Sequence, residues 1–164
     1  MMTPQWRSMH ESDLAAVLHA ASTAHPGLPE SEAVFAERLS LFPRGCLVLA
    51  TGAAVEGYAV SHPIRRFCPP ALDTLLGALP GQADDYYIHD VVVLPQRRGG
   101  GHAAAGVHLL LEIASAYETA SLVSVYGTAR FWARFGFAPA DEDLGDKLRP
   151  YGAGAVYMLR RNRA

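Results

Sequence analysis

The chain has 164 residues, of which half are apolar and 18% are charged, and its formal net charge is −2. This composition is typical of a globular protein long enough to bury a core, and the near balance of charges argues against a nucleic-acid partner. No apolar run is long enough to span a bilayer, and the N-terminus does not resemble a signal peptide. The two cysteines, Cys46 and Cys68, lack the spacing of a zinc or redox motif. We therefore expect one domain over residues 1–164, located in the cytoplasm, with no metal and no membrane partner.

The N-terminal part of the chain predicts two helices and a hairpin. Apolar residues recur at helical spacing over 13–24 and again over 30–41. Two apolar runs, 46–50 and 55–61, flank the turn-forming sequence Thr-Gly-Ala-Ala and are typical of paired strands. The next twenty or so residues are rich in proline and glycine, so we expect a long connection that holds one short helix over 71–78.

The centre of the chain predicts a strand, a glycine turn and a helix in direct succession. A β-branched run ends the strand over 86–93, Pro95 stops it, and three glycines at 99–101 lead into an apolar helix over 101–117. The start of a helix offers free backbone N–H groups and the positive end of its dipole, and glycines let a phosphate approach the backbone closely. We therefore expect a phosphate-bearing ligand at residues 98–103.

Two common phosphate-binding motifs fit this segment poorly. A P-loop requires Gly-Lys-Ser/Thr at the helix start, whereas Gly101 is followed by His102 and Ala103. A dinucleotide fingerprint matches formally, but it expects an acidic residue about 20 positions later, at the end of the next strand. That strand, predicted over 121–125, ends without one. Dinucleotide binding is therefore the less favoured alternative.

The segment resembles instead the acetyl-CoA site of the GNAT N-acetyltransferase superfamily. The superfamily signature R/Q-x-x-G-x-G/A follows a strand that ends near V-x-P, and here residues 98–103 follow the sequence Val-Leu-Pro. A second register that begins at Gln96 also matches, but the first keeps the usual spacing from the proline. Residues 130–137 and 154–160 resemble the helix with its "GF" turn and the last strand of the fold.

The resemblance implies an α/β fold whose central sheet is mixed, mostly antiparallel and flanked by helices. The strands over 86–93 and 121–125 would form a parallel pair, in line with the right-handed crossover of a strand–helix–strand unit, and would splay apart to admit acetyl-CoA. By the same resemblance, loop amides bind the pyrophosphate and the strand backbone pairs with the pantetheine arm. Phe131 and Trp132 are also expected at the cofactor, with Trp132 packing against the CoA arm or the core. These cofactor-binding residues are Arg98, Gly99, Gly100, Gly101, His102 and Ala103 in the loop, Val91, Val92 and Val93 in the strand, and the aromatic pair Phe131 and Trp132.

Acetyl transfer to an amine requires a group that accepts the amine's proton and benefits from one that protonates the leaving thiolate. His89 and Asp90 are the candidate bases, because both lie on the strand expected to face the acetyl group. Simple alternation puts their side chains on opposite faces, and a β-bulge would remove that separation. Many GNAT proteins carry a tyrosine four residues before the glycine of the "GF" turn, where this chain has Trp132. Tyr126 is therefore the candidate acid, and Tyr86 and Tyr87 are weaker candidates. Otherwise the thiolate leaves unassisted and takes its proton from water.

The residues and the resemblance together predict a transferase that moves an acetyl group from acetyl-CoA to a primary amine in a ternary complex. A small-molecule amine is favoured over a peptide or protein amine as the acceptor. The alternative is a catalytically silent module that binds acyl-CoA or has a regulatory role. A monomer and a homodimer are both compatible with the sequence.

Overall fold

The computed structural model describes residues 2–162, so residues 1, 163 and 164 of the domain predicted over 1–164 lie outside the described residues. Seven strands form one sheet in the order β1-β2-β3-β4-β5-β7-β6. The strands are β1 Gln5–Ser8, β2 Cys46–Thr51, β3 Ala54–Ile64, β4 Asp85–Val93, β5 Thr119–Ser124, β6 Ala138–Pro139 and β7 Val156–Arg161. The helices are α1 Leu14–Ala24, α2 Glu32–Leu41, α3 His102–Ala114, α4 Ala129–Ala133 and α5 Gly145–Leu148.

The sheet is mixed, and helices cover both of its faces. Neighbouring strands run antiparallel except β4 and β5, which pair in parallel. One hydrophobic cluster joins α1 and α2 to β2 and β3, and a second joins α3 to β4, β5 and β7. The predicted α/β fold with a mostly antiparallel sheet and one parallel pair is therefore confirmed.

The parallel pair is joined only at its start. β4 and β5 pair from Asp85–Thr119 to Tyr87–Ser121 and then separate. The buried carboxylate of Asp85 accepts hydrogen bonds from Thr119 Oγ1 at 2.8 Å and from Ser121 Oγ at 2.5 Å. These bonds hold the two strands together at the base of the gap, which leaves the edge of β4 from Ile88 onward facing an open space. The predicted splay is therefore confirmed.

The connection between β3 and β4 forms no helix, so the short helix predicted over 71–78 is wrong. Two side chains of α2 bind the backbone of this connection instead. The N–H of Leu76 donates to Glu37 at 2.6 Å, and Arg38 Nη1 donates to a carbonyl of the connection at 3.1 Å. Backbone groups that already have such partners do not require the hydrogen bonds of a helix.

Strand β1 escapes the periodicity analysis because it has only four residues. It pairs with β2 and carries Trp6, whose Nε1 donates to the carbonyl of His102 at 2.8 Å. The indole also lies against Gly106 in α3, where an added Cβ would come within 2.6 Å of the ring. The strand therefore connects one edge of the sheet to the first turns of α3.

Both cysteines are free thiols, Cys46 in the interior and Cys68 at the surface. Burial raises the pKa of Cys46 to about 12, so this residue is a protonated thiol at neutral pH. Among residues 2–162, no helix is long and apolar enough to cross a bilayer.

Candidate active site

The turn between β4 and α3 has the geometry of an anion-binding loop. Gly99 and Gly101 have φ angles of 89° and 76°, in the left-handed region that favours glycine. Gly101 is the residue that precedes α3, and the thirteen-residue helix presents its first N–H groups and the positive end of its dipole at this point. In the described part of the chain, no atom lies within 4 Å of an added Cβ at either glycine. The space in front of the helix is therefore open to a ligand.

The two neighbouring arginines have different partners. Arg97 Nε donates to Glu56 at 2.8 Å, which ties this side chain to β3. Arg98 Nε donates to the carbonyl of Val93 at 3.1 Å, and the side chain lines the gap between β4 and β5. Arg98 is therefore the arginine placed to bind an anion at the loop.

A cleft of about 450 Å³ opens where β4 and β5 separate. It brings together most of the residues named from the sequence: both candidate bases, the candidate acid, part of the loop and the aromatic pair. Those on its wall are His89, Asp90, Val91, Val92, Val93, Arg98, Ala103, Tyr126, Phe131 and Trp132. The intervening loop residues Gly99, Gly100, Gly101 and His102 lie beside the wall rather than on it. The cleft thus extends from the anion-binding loop to the candidate bases.

A β-bulge in β4 places His89 and Asp90 at the same cleft. The pairing with β3 skips His89, since Asp90 faces Val60 and Ile88 faces Ser61. The extra residue reverses the alternation of β4, so Ile88 packs in the cluster under α3 whereas Val92 packs in the cluster under α1. The bulge that would remove the separation of the two candidate bases is therefore present.

Asp90 lies at the centre of a hydrogen-bond network at the end of α1. His25 Nε2 is 2.9 and 3.1 Å from the two carboxylate oxygens, and Tyr58 donates its hydroxyl at 2.6 Å. Burial would raise the pKa of Asp90, but the hydrogen bond and charge of His25 and the hydroxyl of Tyr58 hold it below its ordinary value. Burial would lower the pKa of His25, but the hydrogen bond and charge of Asp90 raise it above its ordinary value. The contact therefore favours an ionised carboxylate beside a protonated imidazole.

His89 has a separate acidic partner, Glu30. The two side chains are 3% and 8% exposed, and His89 Nε2 lies 2.6 Å from Glu30 Oε1. The other oxygen of Glu30 accepts the N–H of Asp73 at 3.0 Å. Burial would raise the pKa of Glu30, but the hydrogen bond and charge of His89, with the Asp73 amide, hold it below its ordinary value. The site therefore contains two carboxylates that are ionised at neutral pH.

The candidate acid and the tryptophan that replaces the family's usual tyrosine lie in different surroundings. Tyr126 is 58% exposed, and it adopts a φ of 55°, which costs a non-glycine residue on the order of 1–3 kcal/mol. Its ring stacks on His25 with centroids 5.5 Å apart. Trp132 is buried and packs edge-on against Phe131 and Phe137. The tyrosine can therefore reach a ligand in the cleft, whereas the indole shapes the cleft wall.

Sequence analysis does not identify three residues of this site: His25, Glu30 and Tyr58. Their partners are distant in the chain, 65 residues away for His25, 59 for Glu30 and 32 for Tyr58. The sequence gives one indication for His25 and Glu30, which lie on either side of the Pro-Gly-Leu-Pro turn between α1 and α2. Side chains at such a turn can be directed toward the sheet. Tyr58 gives no such signal, because an aromatic residue in a buried strand is most often part of the core.

Comparisons with known proteins agree with this architecture. The family model for the acetyltransferase (GNAT) family matches residues 8–137. No curated protein matches the chain. Among solved structures, the loading GNATL domain of CurA from Lyngbya majuscula is similar with a TM-score of 0.80 at 13% identity, over 98% of each chain.

Two further structures are similar over nearly their whole length. Ard1 from Thermoplasma volcanium has a TM-score of 0.74 at 16% identity, covering 96% of this chain and 97% of that one. Naa50 from Arabidopsis thaliana, in complex with the bisubstrate analogue CoA-Ac-MVNAL, has a TM-score of 0.69 at 13% identity, covering 96% of this chain and 97% of that one. At such low identities the likeness concerns the fold.

Proposed function

This chain belongs to the GNAT acetyltransferase family, and we propose that it transfers an acetyl group from acetyl-CoA to a primary amine. The observation that carries the proposal is one cleft with an anion-binding loop at one end and the His25–Asp90 pair at the other. The loop suits the pyrophosphate of a CoA thioester, and the pair suits the proton of an amine. The similar Naa50 structure holds a bisubstrate analogue that contains CoA, which supports a ternary complex here.

The cofactor would lie along β4. In this proposal the amides of residues 99–103 and the guanidinium of Arg98 bind the pyrophosphate. The pantetheine arm takes the place of a neighbouring strand beside Val91–Val93, because β5 leaves this edge of β4 after Tyr87. An arm in that position directs the thioester toward the bulge at His89.

The His25–Asp90 pair would accept the proton of the incoming amine. An aliphatic amine is protonated at neutral pH and must lose a proton before it can attack. When His25 is neutral, its Nε2–H donates to Asp90, and Nδ1 carries the lone pair. Nδ1 is buried and has no hydrogen-bond partner within residues 2–162. Asp90 then holds the imidazole in place and stabilises its protonated form, as the carboxylate of a His–Asp pair does in other enzymes.

The transfer itself forms the bond between the amine nitrogen and the acetyl carbon and breaks the bond between that carbon and the CoA sulfur. Backbone N–H groups on the open edge of β4 would stabilise the negative charge that develops on the carbonyl oxygen. We assign to the hydroxyl of Tyr126 the proton that the leaving thiolate takes up. The second proton of the nitrogen, released as the amide forms, returns the Tyr126 oxygen to a hydroxyl. Trp132 cannot deliver a proton at neutral pH, so its role is contact with the CoA arm.

The first test is thermal unfolding of the protein with saturating acetyl-CoA, beside NADP⁺ as a control. Ligand at about 100 times its Kd stabilises the folded state by roughly 2.7 kcal/mol, which corresponds to a rise in Tm of about 5–10 °C for a chain of this size. We expect the rise with acetyl-CoA alone. A rise with NADP⁺ alone would favour dinucleotide binding and contradict the proposal.

The second test measures CoA release from acetyl-CoA in the presence of primary amines. We expect release that depends on both the amine and the protein. Tight acetyl-CoA binding without CoA release, for amines, amino acids and peptides alike, would support the alternative of a silent acyl-CoA-binding module. The first substitution to try would then be Trp132→Tyr, which restores the usual tyrosine of the family at this position.

A further inference from the structure

Two small cavities lie next to the His25–Asp90 pair, and no residue of the anion-binding loop lines either of them. The inner one, about 50 Å³, is lined in part by Asp90 and Leu72. The outer one, about 260 Å³, lies against the end of α1. His25 and Glu30 line both. The other residues of the inner cavity are Leu28, Leu72, His89, Asp90, Val123, Val125 and Tyr151. The outer cavity adds Ala21, Ser22, Pro26 and Pro29.

The charges of these cavities favour a cation and oppose an anion. Asp90 and Glu30 supply two carboxylates, each held ionised by its own hydrogen bonds. Among the described residues that line the two cavities there is no lysine and no arginine. Arg38 is fully buried, with its Nη1 bonded to Glu37 and to a backbone carbonyl. Arg98 lies at the anion-binding loop, where the phosphates would occupy it. The two imidazoles of the lining, those of His25 and His89, are each already paired with one of these carboxylates. Once His25 is neutral, as the proposed transfer requires, a carboxylate on the acceptor would meet the charge of Asp90 without a free cation to pair with it.

The β3–β4 connection forms part of the wall of the inner cavity through Leu72. The residue that follows is anchored twice, since Asp73 donates its N–H to Glu30 and accepts the N–H of Ser31 at 2.8 Å. Tyr151 donates its hydroxyl to the carbonyl of Pro70 at 2.6 Å, which anchors the connection on the other side. About 50 Å³ is enough for an amino group and the carbon next to it.

We propose that the acceptor is a small primary amine with no carboxylate beside its amino group. This inference rests on the proposed function, and it excludes free α-amino acids as the preferred acceptors. The amino group would enter as an ammonium ion between the carboxylates of Asp90 and Glu30, lose its proton to the His25–Asp90 pair and attack the thioester from this side. The carbon next to the nitrogen would contact Leu28, Leu72, Val123 and Val125.

The test compares acceptors that differ only by a carboxylate. CoA release is measured with ethylamine against alanine, isobutylamine against valine and tyramine against tyrosine. We expect kcat/KM for the best amine to exceed that of its matched amino acid by about 100-fold or more, because an unpaired buried charge costs several kcal/mol. Equal or faster reaction of the amino acid would overturn the inference while leaving acetyl transfer intact. Release with none of them would overturn the proposed function as well.

A pair of variants at Leu72 tests the charge argument while leaving the ionisable residues of the site in place. Leu72→Arg places a cation at the inner cavity, and Leu72→Gln is the neutral control of similar length. We expect Leu72→Arg to raise kcat/KM for tyrosine relative to tyramine by at least 10-fold over Leu72→Gln, because the guanidinium can bind the carboxylate. The same ratio in both variants would show that charge does not set the preference and would overturn the inference.

Discussion

The two halves of the cleft are assembled in different ways. The half proposed to bind the cofactor comes mainly from one continuous stretch, residues 91–103, in which a strand edge, a glycine turn and a helix start follow one another, and α4 adds Phe131 and Trp132. The half proposed to bind the acceptor comes from three separate parts of the chain: the turn that holds His25 and Glu30, Tyr58 of β3 and the bulge of β4. The first half offers mainly backbone groups to its ligand, and the second offers mainly side chains held by one another.

This difference sets what each half tolerates. A backbone site depends on left-handed φ angles and on empty space, so a single bulky replacement removes it while most side chains around it can vary. A side-chain site depends on a network, so replacements that keep the shape but change one hydrogen bond or charge are enough to disturb it. The variants below test these two expectations, beginning with the largest effect.

Gly101→Glu should remove the cofactor half. It puts a side chain and a negative charge at the start of α3, at a φ of 76° that favours glycine. We expect the Kd for acetyl-CoA to rise at least about 100-fold, which removes the roughly 2.7 kcal/mol of ligand stabilisation, as measured by calorimetric titration and thermal shift. Gly81→Glu is the control, because Gly81 lies in the β3–β4 connection, outside the left-handed region and with open space at its Cβ. If folded Gly101→Glu protein bound acetyl-CoA normally, the pyrophosphate would have to lie elsewhere.

Asp90→Asn should disable the acceptor half while sparing the cofactor half. We expect kcat to fall on the order of 10³-fold, within the range for acid–base catalysis, with an unchanged Kd for acetyl-CoA. In the native protein, kcat/KM should rise with pH as His25 loses its proton, at a pH above the ordinary imidazole value because Asp90 raises the pKa of His25. In the variant the charge of Asp90 is absent and burial dominates, so this rise should move to lower pH. Asp84→Asn makes the same chemical change at an exposed carboxylate outside the cleft, and an unmoved pH profile in Asp90→Asn would remove the pair from the mechanism.

Tyr126→Phe separates proton delivery from ring stacking. The variant retains the ring that stacks on His25 and loses only the hydroxyl. We expect kcat for acetyl-CoA to decrease by about 10²-fold, the lower end of the range for a general acid, while the pH at which His25 titrates stays in place. For a thioester with a more acidic leaving thiol, the same substitution should lower kcat by a smaller factor, because that thiolate leaves more easily without a proton. Unchanged turnover of acetyl-CoA would mean that the thiolate takes its proton from water.

More of the cofactor half than of the acceptor half can be predicted from the sequence alone. The strand, the glycine turn and the helix start are neighbours in the chain, so their pattern already contains the anion-binding loop and the opening beside β4. The bulge could be anticipated in principle, but its position at His89 depends on the register with β3, which is settled by Val60 and Ser61 on another strand. A run of β-branched residues contains no information about that register.

The failures of the sequence analysis all involve tertiary partners. The helix expected over 71–78 is absent because Glu37 and Arg38 bind that backbone from α2, and β1 is too short to show a period. His25 is missed because the role of an imidazole in this turn depends on its contact with Asp90, which only the fold creates. Secondary-structure propensity and hydrophobic periodicity are properties of a single segment, whereas the features missed here depend on contacts between segments.

Gly106→Ala tests whether the cofactor half is as local as its sequence suggests. Trp6 of β1 lies against Gly106 and donates to the carbonyl of His102, at the start of α3. Alanine gains up to about 1 kcal/mol of helix propensity, but displacing the indole costs about 1–3 kcal/mol. We expect a net loss of about 1 kcal/mol in the free energy of unfolding, measured in urea, and a few-fold weaker binding of acetyl-CoA as the loop shifts.

The matched background for that test is Trp6→Phe, which removes the indole N–H and leaves a smaller ring. Two residues in contact should show non-additive effects, so Gly106→Ala should become neutral or stabilising when Trp6 is phenylalanine. Additive losses would show that the ring does not restrain α3. A Gly106→Ala protein with native stability and native acetyl-CoA affinity would show that the loop is positioned by its own glycines and helix alone. The cofactor half would then depend on local residues only, whereas the acceptor half depends on contacts between distant parts of the chain.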